Sequence, residues 1–415
     1  MHEFKYKRNE FYCENVSLKK LAHEFSTPLY VYSHKTMVDH FRKIKAAFRE
    51  FKPLICFAAK ANANLNILKI LINEGAGLDV VSGGELYKGL KAGVDAKKVV
   101  YASVGKTDEE ISDALKAGIL FFNVESLAEL ENINRIAALL KKRANVAIRV
   151  NPDVDPKTHE YITTSKKENK FGLDLEMARF IFASLGKYPY ININGIHLHI
   201  GSQITSAKPY KEALRKIIGF IKENHIELDY INLGGGLGII YDNEKPQTAE
   251  SFAKAIAPLL RKIKAKLILE PGRFIVGNSG VLLAKTIYIK ESAKKTFVIT
   301  DTAMNDLMRP SLYQAYHTIV PLKKAKGNFK NPVDIVGPVC ESGDFLAKGR
   351  KFPLVKSGDF LAVLGAGAYG FSMSSNYNAR LRAAEVLVKG NKYYLIRKRE
   401  TYKDLIATDI KVKGI

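Results

Sequence analysis

KLILEPG, residues 266–272, is an apolar run that stops on a carboxylate and then breaks at Pro-Gly. It has the length and punctuation of a buried strand. Seven similar runs precede it: LICFAAK (54–60), GLDVVS (77–82), VVYAS (99–103), LFFNVES (120–126), NVAIRVN (145–151), GIHLHIGS (195–202) and YINLGGG (230–236). Helix-like stretches such as NLNILKILINEG and DEEISDALKAG lie between them. Strand and helix in alternation predict a parallel sheet. Eight such units over about 220 residues match a closed eight-fold β/α barrel better than a doubly wound open sheet.

The ends of the runs sharpen this reading. They finish on Lys60, Ser82, Ser103, Glu125, Arg149 with Asn151, His199, Gly234 to Gly236, and Glu270. In such a barrel the C-terminal strand ends form the active-site rim, so polar residues belong there. From about residue 275 the texture changes to short β-rich runs without long helices. These are GVLLAKTIYIK, TFVITDT, DIVGPVC, FLAVLGAG, EVLVKG and KYYLIRK, with PLYVYS (28–33) as a further candidate. The expected organisation is an α/β chain: a TIM-like barrel over 34–274, and an all-β domain, sandwich- or barrel-like, over 275–415 that takes up residues 1–33. The polar insert 152–172 reads as a lid or a solvated loop.

The net charge of +23 comes from 65 Lys and Arg against 42 Asp and Glu. The lysines are spread over helix faces such as LLKKRAN, with no aromatic RNA-binding motif or zinc finger beside them. A solvated surface is the expectation, with no nucleic-acid partner. Cys13, Cys56 and Cys340 are too few and scattered for a disulfide framework, and no CxxC pair suggests zinc. A reducing cytoplasm fits that usage. The opening MHEFKYKRNEFYCEN has no apolar signal-peptide core. No apolar run approaches the ~18 residues of a membrane span.

Four features at the strand ends carry chemistry. Lys60 closes an apolar run, where an amine can become a nucleophile for a carbonyl, although a lysine emerging at a wet strand end reads the same way. INLGGGLGI (231–239) offers bare backbone N–H groups to a phosphate, or is simply a flexible turn. Glu270, at the barrel mouth, needs a cation or a proton to share; a pyridinium N–H or Arg273 would serve. His197 and His199, two apart, face one side of a strand. They could bind a metal, but no third ligand has convincing spacing, so no metal is expected. A flat ring stacked on a flat cofactor suits His199, and a hydrogen-bonded core histidine suits His197. Together these features describe a pyridoxal phosphate site.

The chain also resembles the diaminopimelate decarboxylases, a branch of the fold-type III pyridoxal phosphate decarboxylases. FAAKAN (57–62), LDVVSGGE (78–85), HLHIGSQI (197–204), LGGGLGI (233–239) and EPGRF (270–274) are shared widely among fold-type III decarboxylases. NDLMRPSLYQAYH (305–317), GPVCESGDFLA (337–347) and GAYGFSMSSNYN (367–378) mark this branch. The resemblance implies that Lys60 joins the cofactor covalently, His199 stacks on its ring and Glu270 holds its nitrogen protonated. It implies that Ser202, the backbone near Gly235, Gly236, Gly238, Gly272 and Arg273, and the hydroxyl of Tyr369 hold the phosphate. Arg273, Arg309, Tyr313, Glu341 and Tyr369 would bind substrate, and Cys340 would donate a proton. The family assembles as a homodimer whose Cys-Glu pair comes from the partner subunit. Ala59 stands where many relatives carry valine, which puts nothing essential in doubt.

The implied reaction is decarboxylation of meso-2,6-diaminopimelate at its D-centre to L-lysine and carbon dioxide, the last step of lysine biosynthesis. Charge supports that substrate. Arg273 and Arg309 suit a distal carboxylate in forked geometry while Glu341 suits a distal ammonium. A related decarboxylase for ornithine, arginine or carboxynorspermidine would share the barrel motifs, but would leave those arginines unpaired. An amino-acid racemase would share the fold, but normally needs bases on both faces.

Overall fold

The computed structural model describes residues 2–154, 170–412 and 414, so most of the insert expected at 152–172 lies outside the described residues. The chain divides into two compact units: Met1–Met37 with Tyr241–Asn243 and Val276–Ile415, and Val38–Ile240 with Glu244–Ile275. Among the described residues, no helix is long and apolar enough to cross a membrane.

The chain opens with an antiparallel sheet of β1 (Phe4–Lys7), β2 (Glu10–Cys13) and β3 (Val16–Ser17). A helix, Leu18–Phe25, follows and leads to β4 (Leu29–Ser33). The hairpin and helix are additions to what the apolar runs announced. Ser17 starts the helix by accepting a hydrogen bond from the N–H of Lys20, and Leu18, Leu21 and Ala22 form its buried stripe.

The second unit is the expected barrel. Its strands are β5 (Leu54–Ala58), β6 (Gly77–Val80), β7 (Val99–Tyr101), β8 (Phe121–Val124), β9 (Ala144–Arg149), β10 (Ile191–His197), β11 (Tyr230–Asn232) and β12 (Lys266–Leu269). All pair in parallel, and β12 closes on β5 with Ile268 opposite Leu54. Except at β9, whose ladder takes in Arg149, the ladders stop short of the polar residues that end the sequence runs. Lys60 is therefore not the last residue of a strand. It sits in a one-turn 3-10 helix, Ala59–Ala61, closed by Asn62 N–H to the Ala59 carbonyl. Past the last ladder bond the chain must turn outward to its helix, and that turn makes the rim.

Local signals fix the helices between the strands. Helix Asp108–Ala117 begins at a capping box between Thr107 and Glu110 and ends at Gly118, whose φ of 72° is left-handed. It buries Ile111, Ala114 and Leu115. Each large apolar side chain contributes about 1.5–3 kcal/mol by leaving water, so Ile111→Asp would undo more than both caps supply.

Inside the barrel, Cys56, Val100, Phe121, Ala147 and Ile268 form one fully buried cluster, with Tyr230 packed against it. A strand returns to the same face every second residue. Two residues beyond these positions come Asn123, Arg149, Asn232 and Glu270. The apolar layer thus supports a polar layer at the C-terminal end.

The first unit continues with β13 (Gly280–Glu291), β14 (Thr296–Thr300), β15 (Ile319–Pro321), β16 (Val333–Val336), β17 (Phe345–Arg350), β18 (Phe360–Val363), β19 (Ala384–Lys389) and β20 (Lys392–Arg397). They form one mixed sheet in the order β17-β16-β14-β13-β4-β19-β20, with β18 joining β13 to β15. β4 lies inside it, antiparallel to β13 and parallel to β19. Both its faces are covered. Leu29 and Val31 enter a core with Leu283, Ala362 and Val386. Tyr30 and Tyr32 stack on the other face, where Tyr32 donates to Glu385 and Tyr30 to the Asp306 carbonyl.

Candidate active site

The polar layer at the barrel mouth is built around Glu270. Its carboxylate is buried and accepts from Asn232 Nδ2 at 2.6 Å and Asn123 Nδ2 at 3.2 Å, and faces His197 Nε2 at 3.2 Å. Burial alone would raise its pKa; the charge and hydrogen bond of His197, Lys60 and the Asn232 amide outweigh that and hold it below the usual carboxylate range. Glu270 is therefore a permanent anion, and its partner is His197 rather than Arg273.

Lys60 Nζ lies 2.9 Å from Asp79 Oδ2. The lysine side chain is 36% exposed while Asp79 is fully buried. The amine thus opens toward solvent from a buried counter-ion. Burial and the charge of Glu270 push Asp79 up to about 7, with Lys60 opposing them. His199 is half-buried beside them, and its Nδ1 accepts the Gly235 N–H at 3.2 Å. Desolvation, then the charges of Arg149 and Lys60, lower its pKa well below that of a free imidazole, so it presents a neutral ring. Arg149 is itself buried and held by Glu125 at 2.7 Å.

The glycine run is a place of close approach. A Cβ on Gly235 would stand 2.2 Å from the Glu270 carbonyl oxygen, and one on Gly234 2.5 Å from that of Leu198. Gly236 has a φ of 103°, and Tyr210 caps the Gly235 carbonyl. The N–H of Gly235 goes to His199 and that of Gly238 to the Ile204 carbonyl, so these two are satisfied within the protein. A Cβ on Gly272 would stand 3.1 Å from the Cβ atoms of Ala58 and Ala61, beside the Lys60 turn. Arg273 reaches the Ser202 hydroxyl with Nη2 at 3.2 Å and Nε at 3.4 Å. A guanidinium and a hydroxyl side by side make an anion site.

These residues fit pyridoxal phosphate. An accessible amine, an ionised buried carboxylate, a neutral flat imidazole and an anion site are assembled at one barrel mouth. Asp79 Oδ1, Asn123 Oδ1 and His197 Nδ1 are buried there without hydrogen-bond partners among the described residues, as at a site built to hold a polar guest. Among the described residues no cluster of three metal-ligating side chains occurs.

The other unit carries the remaining candidates. Arg309 opens a short helix, Arg309–Tyr313. It is buried, lies 4.5 Å from the centre of the Tyr241 ring and donates from Nη1 to His317 Nε2 at 2.7 Å. His317 Nδ1 faces the Leu364 carbonyl at 2.7 Å, which fixes the tautomer that can accept from Arg309. Tyr313 is half-buried, whereas Cys340 and Glu341 are exposed on their loop. Tyr369 has a φ of 55°, left-handed for a bulky residue, between Gly367 and Gly370. Cβ atoms on those glycines would stand 1.9 Å and 2.3 Å from backbone carbonyls, so the loop is pinned tightly.

Comparison with known proteins agrees with this chemistry. Residues 34–277 match the model of the pyridoxal-dependent decarboxylase, pyridoxal binding domain. A curated diaminopimelate decarboxylase from Aquifex aeolicus is 48% identical, over 98% of this chain and 97% of its own. The chain belongs to the diaminopimelate decarboxylase family. The solved M. jannaschii diaminopimelate decarboxylase in complex with L-lysine superposes with a TM-score of 0.94 at 42% identity, covering 99% of both chains. The Helicobacter pylori enzyme, also with L-lysine, gives 0.90 at 40%, covering 94% of this chain and 98% of its own.

Three residues of the barrel site were not singled out from the sequence: Asp79, Asn123 and Asn232. A signal existed, since each is a polar residue inside a strand-like apolar run. Tyr377 and Asn378, described below, sit in a quoted motif but carried no assigned role.

Proposed function

We propose that this enzyme removes carbon dioxide from the D-centre of meso-2,6-diaminopimelate and releases L-lysine, as the last step of lysine biosynthesis. The observation that carries the reading is the ionised, triply held Glu270 at the mouth of a barrel whose chain matches diaminopimelate decarboxylases from end to end.

Pyridoxal phosphate, when bound, supplies a sink for the electrons that decarboxylation leaves on the α-carbon. Lys60 would hold it through Nζ, with His199 on its ring, Glu270 at its nitrogen, and Ser202, Arg273, Gly235, Gly236, Gly238, Gly272 and Tyr369 around its phosphate. Glu270 can keep a ring nitrogen protonated because it stays an anion itself. Asp79 takes the ammonium of Lys60 whenever that amine is free. Arg273, Arg309, Tyr313 and Tyr369 orient the substrate's carboxylates, and Glu341 takes its distal ammonium. Cys340 delivers a proton from Sγ to the α-carbon.

The exposure of Cys340 and Glu341 supports a homodimer in which each subunit lends this pair to the other. Residues 34–274 would then serve as the cofactor-binding domain. Residues 1–33 with 275–415 would supply substrate and interface groups. Free thiols at all three cysteines suit the cytoplasm.

The test is carbon dioxide release from meso-diaminopimelate, its LL isomer, lysine, ornithine and arginine. Turnover of the meso compound alone is expected. Comparable kcat/KM on ornithine or arginine would overturn the assignment.

A further inference from the structure

The Cys340–Glu341 pair is exposed, yet its main chain is not left free. The Cys340 N–H donates to Asn378 Oδ1 at 2.9 Å, and the Tyr377 hydroxyl donates to Glu341 Oε2 at 3.3 Å. Adjacent residues of one turn thus grip adjacent residues of the proposed catalytic loop. Glu341 also raises the pKa of Tyr377, keeping it a donor.

The turn that does this is strained. Asn378 and Ala379 both lie in the left-handed region, with φ of 56° and 53°. Asparagine tolerates that conformation, but alanine rarely adopts it. Such strain persists only where the surroundings over-determine it. Here they do. Asn376 Nδ2 bonds the Arg380 carbonyl at 2.9 Å and Glu400 Oε2 at 2.7 Å, and the same Glu400 oxygen accepts the Arg382 N–H at 2.8 Å. Arg380 Nη2 donates to the Asp301 carbonyl at 2.9 Å. The base of the turn is clamped on both sides, and its tip is aimed at the loop.

The loop is tied from its other end as well. Asp344 accepts the Val339 N–H with Oδ2 and the Met304 N–H with Oδ1, both at 2.8 Å. Ser311, on the helix that begins with Arg309, donates to the Gly343 carbonyl at 2.6 Å. Val339 and Gly343 are thereby fixed. Between them the loop closes on itself through Glu341 N–H to the Val339 carbonyl at 2.8 Å and Asp344 N–H to the Glu341 carbonyl at 3.0 Å. The Tyr377–Asn378 turn adds its bonds to the Cys340 N–H and the Glu341 carboxylate.

We propose that Tyr377 and Asn378 are positioning residues. Asn378 sets the backbone that aims the Cys340 thiol, and Tyr377 sets the rotamer with which Glu341 meets the substrate's distal ammonium. The inference rests on the roles proposed above for Cys340 and Glu341.

The test uses the full-length holoenzyme with Asn378→Gly, Asn378→Asp and Tyr377→Phe. Glycine accepts the left-handed backbone, so Asn378→Gly removes the acceptor while relieving strain. A merely structural role predicts that it is tolerated. The proposal predicts that kcat falls roughly tenfold or more, because a hydrogen bond that fixes a reacting group is gone. It also predicts that the rate of Cys340 alkylation by iodoacetamide changes, and that Asn378→Asp restores both. Tyr377→Phe should raise KM for meso-diaminopimelate about tenfold with kcat largely kept. Wild-type kcat and alkylation rate in Asn378→Gly, with wild-type KM in Tyr377→Phe, would overturn the proposal. Cys340→Ala separates the two levels: if it turns over normally, the donor role fails, and the positioning claim is then judged on the alkylation rate alone.

Discussion

Asp79 places one carboxylate oxygen 2.9 Å from Lys60 Nζ and keeps the other buried without a hydrogen-bond partner. Its pKa is raised from 3.8 to about 7, so between those values the folded protein holds a proton that the unfolded chain has released. That contribution to stability is complete at the acid end of the interval and is lost as pH rises through about 7. In cofactor-free enzyme, Asp79→Asn should therefore flatten the part of the Tm-against-pH curve between about 4 and 7. An unchanged curve would show that Asp79 titrates in the ordinary acid range.

Glu270→Gln tests the permanent anion. The carboxylate receives two asparagine amides and faces a histidine nitrogen. A glutamine offers one acceptor and turns its NH2 on one of those donors. A loss of kcat of roughly 10²–10³-fold is expected, the scale of removing one preorganised electrostatic group. Steady-state turnover of meso-diaminopimelate checks it, and a loss below tenfold speaks against the role.

Cys340→Ala should separate chemistry from folding. The residue is exposed, so thermal stability should change by no more than about 0.5 kcal/mol. Cofactor absorbance should persist, while kcat should drop by roughly 10²–10⁴-fold. Full turnover in this variant removes Cys340 from the mechanism.

A buried ion pair at the barrel rim gives a prediction about stability. Lys106 Nζ bonds Glu129 and the Ser103 and Asn123 carbonyls, with none of its side chain exposed. Lys106→Met strands Glu129 as a buried charge and should cost ~3–5 kcal/mol. Adding Glu129→Gln should recover part of that, since the remaining group is neutral. Urea denaturation of both variants measures the difference.

The barrel was legible because its strands are buried on both faces and read as short apolar runs with sharp ends. Lys60, His199, Glu270 and the glycine run were legible because each follows such a run. Asp79, Asn123 and Asn232 were harder to see. They sit before the polar ends, where a strand reader counts them as interruptions. Only the period of two, carried up from Phe121, Tyr230 and Ile268, reveals that Asn123, Asn232 and Glu270 share one inward face. The opening hairpin escaped for a different reason: β1 alternates aromatic with charged residues over only four positions, and β2, EFYC, is as short and does not alternate. Nor does sequence show that Lys60 leaves its strand for a 3-10 turn, because the last ladder bond depends on where the neighbouring strand ends.

The placement of β4 bears on synthesis. Leu29 pairs with Leu283 on one side and with Ala384 on the other. A ribosome makes that strand at the start and its two neighbours hundreds of codons later. Until then the backbone amides of Leu29–Ser33 have no ladder to join, although the eight barrel strands between them and β13 have all emerged. Removing the final thirty-odd residues would strip β4 of one flank, so clipped or stalled chains should expose an apolar edge that chaperones or proteases can find.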